Sequence, residues 1–235
     1  MAGHCVVLAG GLGTRIREVT NGLVPKVMVP VLGQPFIKWK LESLREMGVT
    51  EVTLLIGELG NLVEDYLWHN YPTGLSIQCL HDGPKLLGTA GSIRKVLHKL
   101  PQEFWITYGD SYVLADLEAA ESKLTKTSHD GIMTLFHNMD TLEISNASTL
   151  GDLVFNYDKN SKPGEHEWID YGLLYLKSQD FLDIPIDQVT DLEIILGQII
   201  HRKKMMMWET KERFWDVGTP EALQSTEDHF RQLSL

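Results

Sequence analysis

The sequence has few cysteines and no long apolar segment. Only two of its 235 residues are cysteine, Cys5 and Cys79, and their spacing is not that of a metal site. Both lie in apolar runs, which predicts buried thiols in a reducing compartment. No stretch approaches the roughly 20 apolar residues of a membrane-spanning helix, and no signal-peptide pattern precedes Gly10. We therefore expect a cytoplasmic protein that does not bind membranes.

Basic residues are scarce relative to acidic ones. The chain has 21 Lys and Arg against 32 Asp and Glu, a formal net charge of −11. This balance argues against sequence-independent binding to nucleic acid, whose phosphates attract positive surfaces. A hydrophobic content of 43% predicts a sizeable core, and the length suits one domain over residues 1–235. Local cations or Mg²⁺ would still allow an anionic nucleotide to bind.

Several familiar catalytic motifs are absent. The sequence contains no Gly-x-Ser-x-Gly elbow, and its nine histidines form no ligand pattern. The glycine-rich segment at residues 8–15 is not a Walker A loop, because Gly13 is followed by Thr14 and Arg15 instead of Lys-Ser/Thr. A dinucleotide fingerprint needs a small residue where Ile16 stands. These absences argue against a serine hydrolase, a P-loop NTPase and an NAD-linked reductase.

The glycine-rich segment that is present predicts a triphosphate cradle. It follows an apolar strand and is followed in turn by Pro25 and Lys26; its residues are Leu8, Ala9, Gly10, Gly11, Leu12, Gly13, Thr14 and Arg15. Glycines let backbone N–H groups approach phosphate oxygens closely, and Arg15 and Lys26 supply positive charge. A plain glycine-rich turn closing a βα unit is the alternative.

The order of the remaining patterns predicts an α/β fold. Strand and helix patterns alternate through residues 1–130, which predicts a parallel sheet with ligands at the carboxyl ends of its strands. Further strand candidates follow with little helix between them, before helices at residues 191–202 and 219–233. We predict a Rossmann-like three-layer α/β/α arrangement with a mostly parallel, mixed central sheet. Residues 1–130 form the nucleotide-binding part, and residues 131–235 add a small β-rich extension and a closing helix.

Two carboxylates could bind a metal. Asp110 comes directly after the predicted strand at residues 104–108, and Asp216 precedes a glycine and a helix start. Carboxylate oxygens suit Mg²⁺ that is bound together with substrate phosphates. A turn or helix-capping role for Asp110, and a plain loop role for Asp216, are the alternatives.

Two further segments carry weaker signals. Gly88 and Thr89 open a predicted helix, where small residues permit close approach of a base or ribose; tight strand–helix packing explains them equally well. Lys159 could reach a second phosphate, although an ordinary surface lysine is the default. Asp170 could accept hydrogen bonds from sugar hydroxyls or serve in structural pairing.

Together these segments resemble the sugar-1-phosphate nucleotidyltransferases, in particular the short enzymes acting on heptose, mannose, N-acetylmuramate and glucose 1-phosphates. The matching segments occur in the family's order and cover nearly the whole chain, at residues 8–15, 25–26, 87–91, 109–110, 157–159 and 216–221. The resemblance implies transfer of NMP from an NTP to a sugar 1-phosphate, with release of pyrophosphate and Mg²⁺ as the cofactor.

The resemblance also implies a role for each candidate residue. Nucleotide contacts would come from Leu8, Ala9, Gly10, Gly11, Gly13, Thr14, Gly88 and Thr89. Arg15 and Lys26 would hold the phosphates as catalytic residues, Asp110 and Asp216 would hold the metal, and Lys159, Asp158, Asp170 and Gly172 would bind the sugar phosphate. A homo-oligomer is compatible with the Met- and Trp-rich segment at residues 205–215.

Two departures from the family pattern lie in the predicted sugar pocket. Asp158 stands where the family commonly has Glu, and Asp170-Tyr171-Gly172 replaces Asn-Gly or Asn-Ala-Gly. The sequence therefore leaves the base and the sugar open. The alternative function is an inactive nucleotide-sugar-binding regulatory protein of the same fold; the presence of Arg15, Lys26 and the acidic pair argues against it.

Overall fold

The computed structural model describes residues 3–11, 13, 16, 20–81, 83 and 85–233. Its strands are β1 His4–Ala9, β2 Pro30–Val31, β3 Gln34–Pro35, β4 Glu51–Ile56, β5 Ser76–His81, β6 Glu103–Tyr108, β7 Ser111–Tyr112, β8 Gly131–His137, β9 Ala147–Leu150, β10 Leu153–Tyr157, β11 Trp168–Lys177, β12 Met205–Thr210 and β13 Trp215–Asp216. Its α-helices are α1 Phe36–Glu46, α2 Gly60–His69, α3 Gly88–Val96, α4 Leu117–Leu124, α5 Leu192–His201 and α6 Pro220–Leu233. Short 3₁₀ helices cover Lys26–Met28, Leu97–Lys99 and Ser178–Phe181.

Nine strands form the central sheet, in the order β5-β4-β1-β6-β11-β8-β12-β10-β9. The strands β5, β4, β1 and β6 are parallel, as the alternating βα pattern predicts. Strand β11 is antiparallel to both of its neighbours, β6 and β8, and β10 is antiparallel to β12 and β9. All the other strands of the sheet point in one direction, which confirms a mostly parallel, mixed sheet.

The strands after residue 130 continue this sheet. The predicted β-rich extension is mixed in strand direction, as expected. It is not a separate sheet, because β8, β11 and β12 continue the sheet that begins with β5. Strands β9 and β10 form a hairpin at the far edge. The nucleotide-binding and sugar-binding parts proposed from the sequence therefore share one hydrogen-bonded sheet, which is joined between β6 and β11.

Helices cover both faces of the sheet, which confirms the three layers. Side chains alternate along a strand, so Val6 and Val7 of β1 enter two separate apolar clusters. One cluster includes buried residues of α1, α2 and α4, and the other includes buried residues of α3 and α5. A third, smaller cluster joins Phe230 of α6 to Phe36 of α1 and to Tyr112 of β7. It places the closing helix beside the β6–β7 turn.

Two expectations from composition can be compared with the structure. Cys5 is buried and Cys79 is half-buried, and both are free thiols. Burial raises the pKa of the Cys5 thiol to about 12, so it is protonated at neutral pH. Among the helices described, none combines the length and the apolar character needed to cross a bilayer.

Two adjacent isoleucines of α5 test the assignment of its buried face. Ile195 is 2% exposed, whereas Ile194 is 54% exposed. Ile195→Ala should lower the free energy of unfolding by about 2–5 kcal/mol, because truncation leaves a cavity in the core. Ile194→Ala, the matched control, should change it by less than about 0.5 kcal/mol. Urea unfolding followed by circular dichroism measures both changes, and equal losses would contradict this packing of α5.

Candidate active site

Three glycine turns meet at the carboxyl ends of β4, β1 and β6. An added Cβ at Gly57 would lie 2.7 Å from the carbonyl oxygen of Gly10, and one at Gly109 would lie 2.7 Å from Val27 Cγ1. The Gly109 N–H donates to the Leu8 carbonyl at 2.9 Å. An added Cβ at Gly109 would also lie 3.1 Å from the Leu8 carbonyl oxygen, so both glycines pack closely against the backbone at the end of β1, which a residue with a Cβ would hinder. This packing places the glycine-rich segment beside the turn that carries Asp110.

A cavity of about 480 Å³ opens at this edge of the sheet. Its volume is in the usual range for small-molecule sites. Its lining includes the predicted nucleotide-binding residues that the structure describes, Leu8, Ala9, Gly10, Gly11, Gly13, Gly88 and Thr89, together with Lys26 and Asp110. Gly13 has a φ of +59°, the left-handed region that favours glycine. The predictions for Thr14 and Arg15 lie outside the described residues.

Lys26 and Asp110 form an ion pair in the cavity wall. Lys26 begins a short 3₁₀ helix after the extended Pro25, and its Nζ lies 2.5 Å from Asp110 Oδ2. The two side chains are 15% and 24% exposed, so water screens their attraction only in part. The helix-capping alternative for Asp110 does not hold, because Asp116 caps α4 by accepting from the Ala119 N–H at 2.9 Å.

The second predicted metal ligand, Asp216, lies next to this pair. Strand β13 is antiparallel to β7, and its register sets Asp216 opposite Ser111, the residue after Asp110. The Val217 N–H donates to the Asp110 carbonyl at 3.0 Å, which ties the two segments together. Asp216 Oδ1 accepts from the Gly218 N–H at 2.7 Å, which orients the carboxylate.

The donor set fits Mg²⁺ only if substrate completes it. Within the described residues no group of three or more His, Cys, Asp or Glu is arranged to hold a metal ion. The candidate donors are the two carboxylates of Asp110 and Asp216, on adjoining segments. Mg²⁺ is commonly bound by one or two carboxylates together with substrate phosphates and water. The arrangement therefore favours a metal that binds with a phosphate substrate over a resident structural ion.

Gly88 brings the start of α3 against the segment before α5. It has a φ of +71°, and an added Cβ would lie 2.6 Å from the Thr190 carbonyl oxygen. The N–H groups of Ala90 and Gly91 donate to that oxygen at 2.9 and 3.0 Å, and the Leu192 N–H donates to Thr89 Oγ1 at 2.7 Å. Gly88 is thus tightly packed and also lines the cavity, and its predicted approach to a base or ribose stays a prediction.

Asp170 and Gly172 form an irregular segment of β11 beside the cavity. The register of β11 against β8 shifts between Asp170 and Leu174, and Gly172 has a φ of +76°. The Gly172 N–H donates to Asp170 Oδ1 at 2.9 Å, and the Tyr157 hydroxyl donates to Asp170 Oδ2 at 3.2 Å. Burial raises the pKa of the Asp170 carboxyl, and burial beside this carboxylate raises the pKa of the Tyr157 phenol. Such bulges often re-aim side chains next to active sites.

Lys159 and Asp158 lie on the exposed connection after β10, away from the cavity wall. Asp158 Oδ1 accepts from the Asn160 N–H at 2.8 Å, so it shapes its own turn. The charge of Lys159 lowers the pKa of Asp170, although burial has the larger, opposite effect on that group. Lys159 therefore lies close enough to Asp170 to affect its titration, and its role in binding a sugar phosphate stays a prediction.

Three residues at this site were not identified from the sequence. Gly57 is explained above, and Asp191 lines the cavity beside Gly88. Lys40 is fully buried under the β6–β7 turn. The sequence does contain a sign of this burial, because Lys40 lies within the apolar stripe of α1, next to Leu41 and one turn before Leu44.

These features define a nucleotide-binding α/β protein in which a glycine-lined cavity meets a pair of carboxylates. The chain belongs to the nucleotidyl transferase family, whose sequence model matches residues 4–232. The family predicted from the motifs is thereby confirmed.

Relatives of known name agree with this family. A D-glycero-alpha-D-manno-heptose 1-phosphate guanylyltransferase of Campylobacter jejuni is 25% identical over 220 residues, which cover 93% of this chain and 96% of that protein. An N-acetylmuramate alpha-1-phosphate uridylyltransferase of Neisseria meningitidis is 34% identical over 124 residues, 52% of each chain. The crystal structure of HddC from Yersinia pseudotuberculosis complexed with GMP-PN matches the fold with a TM-score of 0.81 at 23% identity, covering 97% of this chain and 99% of that one.

A pair of glycine substitutions tests the fit of Gly88. Gly88→Ala should lower the free energy of unfolding by about 1–3 kcal/mol, because a Cβ is strained at its φ and would meet the Thr190 carbonyl. Gly197→Ala is the control, since an added Cβ there meets nothing within 4 Å. It should raise stability by about 0.5–1 kcal/mol, as expected inside a helix. Thermal unfolding compares the two, and a neutral or stabilising Gly88→Ala would contradict the close packing.

Proposed function

We propose that this protein transfers NMP from an NTP to a sugar 1-phosphate and releases pyrophosphate, with Mg²⁺ as its cofactor. The observation that carries the proposal is the Lys26–Asp110 pair in a glycine-lined cavity, with Asp216 on the adjoining strand. Membership of the nucleotidyl transferase family and the names of its relatives support it. No specific observation favours the inactive regulatory alternative, because the described cation and both carboxylates are retained.

The chemistry needs little from the protein beyond position and charge. An oxygen of the sugar 1-phosphate attacks the α-phosphorus in line, a new P–O bond forms, and the bond from the α-phosphorus to the bridging oxygen breaks. Pyrophosphate leaves with that electron pair. The attacking phosphate is already an anion near neutral pH, so no general base is required. Catalysis then rests on orientation and charge neutralisation.

The described residues can be assigned to these tasks. The backbone at Gly10, Gly11 and Gly13 would face the nucleotide, and Lys26 would neutralise phosphate charge; the same task is proposed for Arg15. Asp110 and Asp216 would hold Mg²⁺, which when bound with the nucleotide neutralises charge on its phosphates. The pairing of Lys26 with Asp110 keeps both side chains directed at the cavity before substrate binds.

We further propose GTP as the donor. An added Cβ at Gly88 would lie 3.0 Å from Asp191 Oδ1, so this carboxylate stands at the wall proposed for the base. A carboxylate can accept from two neighbouring donors, which matches the N1–H and 2-amino groups of guanine. Uracil and thymine offer one N–H between two carbonyl oxygens, which a carboxylate repels. The Campylobacter relative, aligned over 93% of this chain, is named a guanylyltransferase.

Removal of one carboxylate tests the reaction. Pyrophosphate release from the common NTPs with heptose, hexose and amino-sugar 1-phosphates should appear with wild type and require Mg²⁺. Asp110→Asn should lower kcat by roughly 10²–10³-fold, since one of the two proposed ligands of the cation that neutralises the phosphates is lost. Asp116→Asn, the control, replaces one helix cap by another and should retain activity. Full activity of Asp110→Asn would refute the site, and no release with any pair would refute the reaction.

A second substitution tests the donor. Asp191→Asn should lower kcat/KM for GTP by roughly 10–100-fold, the usual effect of losing hydrogen bonds to a charged group, and should leave the other donors much less affected. Asp183→Asn is the control, because Asp183 is exposed and outside the cavity wall. The measurement is pyrophosphate release with each NTP at a fixed sugar 1-phosphate. An unchanged order of donors in Asp191→Asn would contradict this role.

A further inference from the structure

A lysine is fully buried beneath the candidate active site. Lys40 lies on the inward face of α1, in the same stripe as the buried residues Ile37, Leu41 and Leu44, and its exposure is 0%. Lysine is almost never fully buried unless its ammonium group is paired. A lysine at this position therefore needs hydrogen-bonding or ionic partners for its ammonium group, and those partners indicate its role.

The ammonium group bridges the two sides of the turn that carries Asp110. Lys40 Nζ donates to Thr107 Oγ1 at 2.7 Å and to the Ser111 carbonyl at 2.7 Å. Thr107 lies in β6, before Tyr108-Gly109-Asp110, and Ser111 begins β7 directly after it. Ser111 is also the residue opposite Asp216 in the β7–β13 ladder. Lys40 thus holds both sides of the turn that carries Asp110, and one of its two acceptors is the residue with which β13 pairs.

This arrangement is unfavourable for a purely structural residue. Both hydrogen-bond acceptors of Lys40 are neutral. Burial lowers the pKa of Lys40 to about 8, and the interactions of Lys40 with Cys5 and Asp110 oppose this shift only in part. The Cys5 thiol is itself protonated at neutral pH, which leaves Asp110 as the nearby anion. Apolar residues of similar volume often replace buried charges without loss of stability. The ammonium is therefore better explained by the turn that it holds than by core packing.

We propose that Lys40 is a positioning residue that fixes the β6–β7 turn, so that Asp110 and Asp216 stand ready for a divalent cation. The inference rests on the proposed function for the identity of the ligand. The proposed role depends on the two hydrogen bonds that Lys40 donates. The positive charge of Lys40 would by itself have the opposite effect, because a positive charge near a metal site repels the metal.

The test compares two lysines of the same helix. Lys40→Met removes the ammonium and keeps the length of the side chain, whereas Lys38→Met removes a partly exposed lysine whose Nζ lies 5.5 Å from the Trp39 ring centre. Mn²⁺ affinity, measured by electron paramagnetic resonance with a non-hydrolysable nucleotide present, should fall about tenfold in Lys40→Met. In the same variant kcat should fall at least tenfold, while KM for the sugar 1-phosphate stays within twofold. Lys38→Met should match wild type in each measurement.

Two further variants guard against misfolding of Lys40→Met. Thr107→Val removes the acceptor in β6 at nearly constant volume, and it should reproduce part of the loss in Mn²⁺ affinity and kcat. Lys40→Arg retains donors and charge, and it should restore most of what Lys40→Met loses. A merely structural lysine would lower the melting temperature in these variants without this split between kcat and KM.

The outcomes separate the possible roles. Weaker Mn²⁺ binding with reduced kcat supports positioning. Tighter Mn²⁺ binding in Lys40→Met would show that only its charge matters, and unchanged binding with wild-type kcat would show that the turn is fixed without it; either result overturns the inference. If wild type transfers no nucleotide to any sugar 1-phosphate, the proposed function fails, but the Mn²⁺ comparison still decides the role of Lys40.

Discussion

The ion pair between Lys26 and Asp110 is the interaction on which the candidate site depends. Its partners are 84 residues apart in sequence and meet because β1 and β6 are adjacent parallel strands. The carboxyl ends of parallel strands lie at one edge of the sheet, and the glycines in the turns there allow neighbouring backbones to come into contact. The pair then holds the segment after the glycine loop against the β6–β7 turn. Together with the Gly109–Leu8 hydrogen bond, this ion pair places the glycine-rich segment and Asp110 in one cavity wall.

Charge is the second constraint on this cavity. The chain is strongly acidic, and the phenol of Tyr108 has a raised pKa because of burial and the nearby carboxylates of Asp170, Asp110, Asp191 and Glu193. Under the proposed function, Lys26 alone would offset these carboxylates only in part, so a phosphate substrate would bind more tightly with a further cation present. Binding of a nucleotide and binding of a metal are therefore expected to strengthen each other, since each neutralises what opposes the other.

Much of this could be predicted from the sequence, because the signals were local. The longer strands, the glycine-rich segment, Asp110 at a strand end and Asp216 before a helix start follow from periodicity and from residue types over a few positions. Gly57 and Asp191 could not be found in this way, because their roles arise from elements that meet only in the folded sheet. The apolar stripe of α1 marks Lys40 as buried, but its partners on β6 and β7 could not be read from the sequence. The position of Lys159 outside the cavity wall is likewise set by the path of an exposed connection.

The joint between β6 and β11 has a consequence for how such proteins diversify. On one side of this joint the strands carry the residues proposed for the nucleotide, and on the other side lie Asp170, Gly172 and the edge hairpin. Main-chain hydrogen bonds between β6 and β11 help to align the two halves, and these bonds persist when many of the side chains change. Under the proposed function, substitutions in β11 would therefore alter the acceptor pocket while the glycine-rich segment proposed for the donor stays unchanged.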